Sequence, residues 1–210
     1  MGGITMTKNI ISANSNNTQY HNRDISEWLK NRRTGITGTD VGKIMGVSKW
    51  GTAQDVWKDK VGVSVPIEDN ESMLWGRILE DVVALEYARR NCVRYYKPEQ
   101  TIRGKEDWML GSPDGIIVND KNEDEYGLEI KTSRSLKTFS VGIPADYEYQ
   151  CRWYMMITNL PYWDLAALVM GSEYKQFRVE RDMGLEEEMI KKCGDFWFNN
   201  VKALVPPVSF

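Results

Sequence analysis

The chain has 210 residues, of which 41% are hydrophobic and 27% are charged, and its formal net charge is −3. This composition is typical of one globular domain, and the small negative charge argues against nucleic-acid binding through overall charge, although binding depends on where the charges lie. No uninterrupted apolar run approaches the roughly 20 residues of a membrane-spanning helix, and the N-terminus lacks an apolar signal segment.

The three cysteines, Cys92, Cys151 and Cys193, are far apart in the sequence and lack the Cys-x-x-Cys spacing of zinc or iron–sulfur ligands. Their odd number fits reduced thiols in a cytosolic protein better than a disulfide framework. The single histidine, His21, lies in a polar segment, which removes most of the support for a serine or cysteine triad and for a histidine-rich zinc site.

The N-terminal segment, residues 1–22, is rich in Asn, Ser and Thr and poor in apolar side chains, which predicts a disordered or loosely ordered tail. We therefore expect a single domain over residues 23–210. A short helix is predicted over residues 24–30, and a second helix begins after a cap at Thr39 or Asp40.

Two arginines, Arg32 and Arg33, precede this second helix, and its start is rich in hydroxyl groups. Free backbone N–H groups, the positive end of the helix dipole and a nearby guanidinium together predict a phosphate-binding pocket. The alternative is a capped helix with solvent-exposed arginines.

The longest helical pattern covers about residues 71–91, with a broad apolar stripe that we predict to face the core. The residues of this stripe are Trp75, Ile78, Leu79, Val82 and Leu85. On a nearly opposite stripe, Glu80 is the only charge, with Gly76 one turn before it and Ala84 one turn after it. Small neighbours allow close approach to another element, where a carboxylate needs a cation or a hydrogen-bond donor. A buried glutamate paired with an arginine is the alternative.

A β-hairpin with an exposed acidic tip is predicted over residues 111–132, where two short apolar runs flank a loop rich in Asn, Asp, Glu and Gly. Because side chains alternate along a strand, Glu129 and Lys131 share one face, and Asp114 lies across the hairpin from Glu129. Two carboxylates suit a hard cation such as Mg²⁺, and the lysine can orient a water molecule. The alternative is a surface hairpin with solvated charges.

Apolar periodicity predicts the remaining elements. These are strands over residues 95–103, 108–110, 163–170 and 175–180, and helices over residues 52–60, 144–159 and 184–200. On the second of these helices, Tyr147, Gln150 and Tyr154 share a face that is separate from the core face. The amide of Gln150 can donate to and accept from a hydrated ion or phosphate, and solvent exposure is the alternative.

The sequence Pro113-Asp114, followed by Glu129-Ile130-Lys131, resembles the PD-(D/E)xK nuclease signature. The longer Gly-Ser-Pro-Asp-Gly and Leu-Glu-Ile-Lys motifs are similar to those of the phage lambda exonuclease and YqaJ-like viral recombinase family. Three further spacings resemble that family in the same order: Arg32 with Thr39, Gly76-x-x-x-Glu80 and Tyr147-x-x-Gln150. The resemblance implies an α/β fold in which a central mixed β-sheet is flanked by helices, the restriction-endonuclease-like core.

The resemblance also implies roles for individual residues. The catalytic set would be Glu80, Asp114, Glu129, Lys131 and Gln150. The ligands of Mg²⁺, with Mn²⁺ as a substitute, would be Asp114, Glu129, the main-chain carbonyl of Ile130 and, through water or a second ion, Glu80. The contacts with the 5′ phosphate and the DNA would come from Arg32, Thr39, Tyr147, Arg134 and Lys137.

A protein of this family would be a Mg²⁺-dependent 5′→3′ exonuclease that converts linear double-stranded DNA to 3′ overhangs for phage-type recombination. The resemblance further implies a homotrimer, encoded by a phage or prophage, that works with a single-strand annealing protein in the cytoplasm of a bacterial host. Two alternatives stay open: a sequence- or structure-specific endonuclease of the same superfamily, and a non-catalytic DNA-end binding module.

Overall fold

Two β-sheets and six α-helices make up the part of the chain that the computed structural model describes, residues 25–65, 68–119 and 124–208. In chain order, the strands are β1 (Ile36–Thr37), β2 (Arg94–Tyr96), β3 (Ile102–Arg103), β4 (Met109–Gly111), β5 (Gly115–Asn119), β6 (Asp124–Ser133), β7 (Tyr162–Val169) and β8 (Glu173–Glu180). The α-helices are α1 (Ile25–Arg32), α2 (Gly38–Met45), α3 (Ala53–Lys60), α4 (Glu71–Asn91), α5 (Ala145–Thr158) and α6 (Met183–Phe196). The predicted tail, residues 1–22, lies outside the described residues.

The central sheet has five strands in the order β2-β5-β6-β7-β8, and a smaller sheet has three in the order β1-β4-β3. In the central sheet, β6 and β7 run parallel, whereas the other neighbours are antiparallel. A parallel pair needs a crossover connection, and α5 lies in the connection between β6 and β7. This mixed sheet flanked by helices confirms the predicted fold class, and the pairing of β5 with β6 confirms the predicted hairpin. None of the described helices is both long and apolar enough to cross a membrane.

Side chains in the strands of the central sheet alternate between its two faces, and apolar residues on both faces pack against helices. One face packs on α4 through Val83, Ala84, Tyr87, Leu128 and Ile130. The other face packs on α2 and α5 through Val41, Trp153, Met155, Trp163 and Leu165. Leu128 and Ile130 of β6 face α4. Because side chains alternate along a strand, Glu129 and Lys131 of β6 therefore face the side that α5 covers.

Helix α4 has the predicted bounds, but the prediction of its core-facing stripe was wrong. Trp75 and Val82 of that stripe are each 54% exposed, whereas Ala84, on the nearly opposite stripe, is buried. Small side chains let the helix backbone lie close to the sheet, so the stripe that carries Gly76 and Ala84 faces inward. The same orientation turns Glu80 toward the protein, where its side chain is only 22% exposed.

Two local predictions are also corrected by the structure. The single strand predicted over residues 95–103 is two strands, β2 and β3, which belong to different sheets. Pro98 lies between them, and a proline cannot donate to a strand ladder. The cap of α2 is Thr37 rather than Thr39 or Asp40, because the carboxylate of Asp40 accepts a hydrogen bond from the N–H of Thr37 at 2.9 Å in a capping box.

Candidate active site

The end of β6 places an acid and a lysine on the side of the sheet that α5 covers. Glu129 is only 2% exposed, and its Oε1 accepts hydrogen bonds from Nε2 of Gln150 at 2.7 Å and from the ammonium group of Lys131. The same Nε2 of Gln150 donates to the hydroxyl oxygen of Tyr154 at 3.1 Å. Gln150 is buried, so the solvent-exposed alternative for this glutamine is excluded.

Asp114 lies immediately before β5 and across the hairpin from Glu129, as predicted. Its Oδ2 accepts a hydrogen bond from the backbone N–H of Ile130 at 2.8 Å. Because the N–H and C=O of one strand residue point to the same side, the carbonyl of Ile130 also faces the Asp114 side of β6. With Glu129 buried and Asp114 half-buried, these charges are not the solvated charges of a surface hairpin.

Glu80 reaches the same centre from α4. Burial raises the pKa of Asp114 well above its usual range, and the charges of Glu129 and then Glu80 raise it further. Burial also raises the pKa of Glu129, an effect that Lys131 opposes and Glu80 reinforces. Carboxylates from three elements therefore share one electrostatic centre with too little positive charge, a condition that a bound cation relieves.

Lys97, which no sequence pattern indicated, contributes a second ammonium group to this centre. It follows β2 directly and forms an ion pair with Glu80. The alternative interpretation of Glu80 was a buried glutamate paired with an arginine, and the cation that pairs with it is instead a lysine. Burial alone would lower the pKa of Lys97, but Glu80 and Asp114 raise it above its usual value. No local spacing links Lys97 to Glu80, and only the pairing of β2 with β5 brings the lysine to this end of the sheet.

The oxygen atoms at this centre are of the kind that bind a hard divalent cation. Oε2 of Glu129 is buried and accepts no hydrogen bond from the described residues, and a buried carboxylate oxygen without a donor is stabilised by a cation. Carboxylate and carbonyl oxygens are the protein ligands that Mg²⁺ prefers. Within the described ranges, no three acidic, cysteine or histidine side chains are gathered closely enough to enclose an ion. Two of the carboxylates form ion pairs instead, Glu129 with Lys131 and Glu80 with Lys97.

Charged side chains from three helices meet at the start of α2. Nη2 of Arg32 donates to Oγ1 of Thr39 at 2.9 Å, so the two residues matched by spacing meet. Beside them, the buried carboxylate of Asp40 lies 3.7 Å from Nη2 of Arg32 and 2.6 Å from the buried Nζ of Lys60. Burial opposes the ionisation of Asp40, but Lys60 and Arg32 lower its pKa to about 2. The guanidinium of Arg32 is therefore held in place, unlike the solvated arginine of the alternative.

The first turn of α2 packs on Tyr154 and Gln150 of α5. Gly38 lies against α5, and a Cβ atom there would be 2.7 Å from the ring of Tyr154 and 3.0 Å from Cγ of Gln150. A methyl group there would overlap the ring of Tyr154 and crowd Gln150, so glycine suits this close approach. Because Gln150 also donates to Glu129, one glutamine side chain connects the start of α2 with the carboxylates.

Of the other predicted DNA contacts, Tyr147 lies at this centre, whereas Arg134 and Lys137 lie on the exposed surface. The ring of Tyr147 lies 5.0 Å from Nζ of Lys131 in a cation–π contact. Arg134 and Lys137 are exposed in the segment after β6. Arg134 also lines a cleft of about 410 Å³ between the start of α4, the end of β6 and the turn from β7 to β8. The contacts of these three residues with DNA stay predictions.

The chain matches a domain family and a curated relative. The family model, described as a YqaJ-like viral recombinase domain, covers residues 27–161. The uncharacterized protein YqaJ of Bacillus subtilis (strain 168) is 32% identical over 183 residues, which make up 83% of this chain and 56% of YqaJ. The chain thus spans little more than half the length of this relative.

The fold is similar to those of solved exonucleases. The alkaline exonuclease from Laribacter hongkongensis superposes with a TM-score of 0.70 at 21% identity, over 86% of this chain and 94% of the other. Its complex with dAMP superposes with a TM-score of 0.68 at the same 21% identity and the same 86% and 94% coverage. A phage-related exonuclease from Haemophilus somnus 129PT gives a TM-score of 0.60 at 11% identity, over 81% and 96% of the two chains. At these identities the likeness concerns the fold alone.

Proposed function

This chain belongs to the YqaJ-like viral recombinase domain family, and from that membership we propose that it is a metal-dependent deoxyribonuclease, a 5′→3′ exonuclease that acts on the ends of linear double-stranded DNA. The observation that carries the proposal is the meeting of Asp114, Glu129 and Lys131, with one buried oxygen of Glu129 that accepts no hydrogen bond from the described residues. The similarity of the fold to those of solved exonucleases supports a nuclease.

The chemistry follows from the positions of the side chains. Asp114, Glu129 and the main-chain carbonyl of Ile130 would hold Mg²⁺, or Mn²⁺ as a substitute, with Glu80 in reach through a bound water. When bound, the ion supplies positive charge that offsets the charge developing on the phosphoryl oxygens. Lys131 orients the attacking water toward the phosphorus. Gln150 holds Glu129 in its orientation through the hydrogen bond to Oε1.

The pocket at Arg32 and Thr39 supports the proposed polarity. A terminal 5′ phosphate bound by the guanidinium and the N-terminus of α2 would lie beside the carboxylates, with the next phosphodiester in reach of them. Attack of water on that phosphorus breaks its bond to the 3′ oxygen, which takes up a proton. The released nucleotide keeps its 5′ phosphate, and the shortened strand ends in a new one. Each cycle regenerates the group that the pocket binds and lengthens the 3′ overhang of the other strand.

The proposed assembly and partners rest on the family resemblance. They are a homotrimer, a single-strand annealing protein, and a role in phage-type recombination in a bacterial cytoplasm. Exposed apolar residues on α4 offer a surface for subunit contact: Met73, Leu74, Trp75 and Val82. Exposed apolar side chains that are neighbours on one helix mark interaction surfaces more often than isolated ones do.

Digestion of end-labelled linear duplex DNA tests this function. With Mg²⁺, the protein should release labelled nucleotides from 5′ ends, and EDTA should stop the reaction. Asp114→Asn and Lys131→Met should each lower the rate by about 100-fold or more, because each removes a group that acts at the reacting phosphate. Cooperative thermal unfolding of each variant would show that the fold is intact. Lys175→Met is the matched control, since Glu173 and Lys175 also form a Glu-x-Lys ion pair, at 3.1 Å, but on the exposed strand β8.

Other products would identify the alternatives. Cutting of closed circular DNA would indicate an endonuclease, and binding of ends without hydrolysis would indicate a non-catalytic module. Undiminished digestion by either site variant would remove the catalytic assignment of that residue.

A further inference from the structure

Two lysines form ion pairs with carboxylates of the proposed metal site. Lys131 pairs with Glu129 on β6, and Lys97 pairs with Glu80 on α4. Asp114 lies within the electrostatic reach of both ammonium groups, which lower its pKa against the larger opposing effects of burial, Glu129 and Glu80. The centre therefore contains two ammonium groups, Lys131 beside Glu129 and Lys97 beside Glu80. Only Lys131 belongs to the Glu-x-Lys motif.

The pair of Lys97 and Glu80 differs from the surface ion pairs of this protein. The two side chains are 25% and 22% exposed, respectively. In the surface pair of Lys191 and Asp195 on α6, the corresponding values are 80% and 57%. Solvent weakens an exposed pair to a median of about 0–1 kcal/mol, whereas an ammonium group at a partly buried acidic centre changes the local field much more.

The backbone determines where this ammonium group lies. Strand β2 runs antiparallel to β5 with Tyr96 paired to Ile116, so the next residue, Lys97, lies level with the segment that starts at Asp114. Pro98 follows and cannot extend the ladder. Lys97, the residue between β2 and Pro98, thus approaches the centre from the side of Asp114 and α4.

We propose that Lys97 is a positioning residue that takes the place of a second divalent cation, so that the metal site holds one ion per chain. The ammonium group bonded to Glu80 neutralises the carboxylate that would complete a second set of oxygen ligands with Asp114. It also repels a divalent ion that approaches Glu80. The inference rests on the proposed function, since it takes Asp114 and Glu129 as ligands of the single ion.

Titration of the metal-free full chain with Mn²⁺, followed by calorimetry and by electron paramagnetic resonance, counts the ions without DNA and without turnover. The parent protein should bind one Mn²⁺. Lys97→Met should bind two, with a spin-coupled signal, and its first ion should bind about tenfold more tightly because a nearby like charge has been removed. Lys97→Gln should behave like Lys97→Met, and Lys97→Arg, which keeps the charge, should bind one ion. Lys191→Met on α6, where the lysine is 80% exposed, is the surface control and should also bind one.

The double variant Glu80→Gln, Lys97→Met separates the effect of charge from an effect on folding. It lacks both members of the pair, so it should return to one Mn²⁺ while keeping the parent's thermal unfolding. A single ion of unchanged affinity in Lys97→Met, or two ions in Lys97→Arg, would overturn the inference and leave the nuclease proposal standing. A parent protein that binds no Mn²⁺ would overturn both.

Discussion

At the scale of single residues, the two oxygens of Glu129 have different surroundings. Oε1 accepts hydrogen bonds from Gln150 and Lys131, whereas Oε2 is buried and accepts none from the described part of the chain. Leaving a buried polar atom without a partner costs about 1–3 kcal/mol, and more for a charged group. Binding of an ion would offset that cost, so the same atom that destabilises the metal-free protein strengthens metal binding in the proposed enzyme.

Arg32 provides the test of the phosphate pocket. We expect Arg32→Ala to reduce the preference for 5′-phosphorylated over 5′-hydroxyl ends by about 1.5–3 kcal/mol, because a hydrogen bond to a charged group is lost. Digestion rates on two duplexes that differ only at the 5′ end measure this preference. Arg33→Ala is the control, since Arg33 pairs with Asp59 on the surface, and it should leave the preference unchanged. If Arg32→Ala also leaves it unchanged, the residue has only a structural role.

At the scale of elements, one buried ion pair joins three helices around that pocket. Lys60 of α3 donates to the main-chain oxygen of Arg32 in α1 at 2.9 Å and pairs with Asp40 of α2 at 2.6 Å. Arg32 and Thr39 are recognisable in the sequence from their spacing. Lys60 is not, because it contacts a residue 28 positions away, and nothing local in the chain relates the two.

The indole ring of Trp163 on β7 occupies the space beside Gly127 of β6 that a side chain would need. A Cβ atom there would be 2.1 Å from the ring of Trp163, which is fully buried. We expect Gly127→Ala to destabilise the fold by about 1–3 kcal/mol or more, because the ring has no free space into which to move. The urea unfolding midpoint measures this loss.

A second glycine provides the control for this substitution. Gly184 lies early in α6, where the nearest atom to an added Cβ is Oδ1 of Asp182 at 3.6 Å. Gly184→Ala should therefore be neutral or slightly stabilising. Equal midpoints for the two alanine variants would contradict the steric explanation at Gly127.

At the scale of the whole molecule, the acidic centre should make stability depend on pH in opposite senses with and without metal. The pKa values of Asp114 and Glu129 are raised, chiefly by burial. In the metal-free protein these groups contribute stability below the ordinary carboxyl pKa, and that contribution is lost as the pH rises through the raised values. A bound cation requires ionised carboxylates, so the stabilisation by Mg²⁺ should grow as the pH rises.

Thermal unfolding between about pH 5 and pH 8, in EDTA and in Mg²⁺, measures both effects. At the alkaline end, Mg²⁺ at 100 times its Kd should stabilise the fold by about 2.7 kcal/mol, and this gain should shrink toward the acidic end. Asp40, with a pKa of about 2, stays ionised throughout. Asp114→Asn should flatten both profiles. A gain from Mg²⁺ that does not change with pH would contradict the expected role of the carboxylates.

The amino-acid sequence by itself determined the local features of this protein. The bounds of α4, the hairpin of β5 and β6, and the shared face of Glu129 and Lys131 depend on backbone geometry and on residues a few positions apart. The order of the motifs, from Arg32 to Gln150, was sufficient to indicate the family that the chain matches.

Only the tertiary structure decided which surfaces face each other. The apolar spacing predicted that Trp75 and Val82 face the core. Close packing on the sheet requires the small residues of the opposite stripe, so the helix buries Ala84 instead. Lys97 pairs with Glu80 and Lys60 pairs with Asp40 through contacts between residues distant in sequence. Such contacts depend on how sheets and helices pack, and a periodic pattern along one element contains no information about its partner.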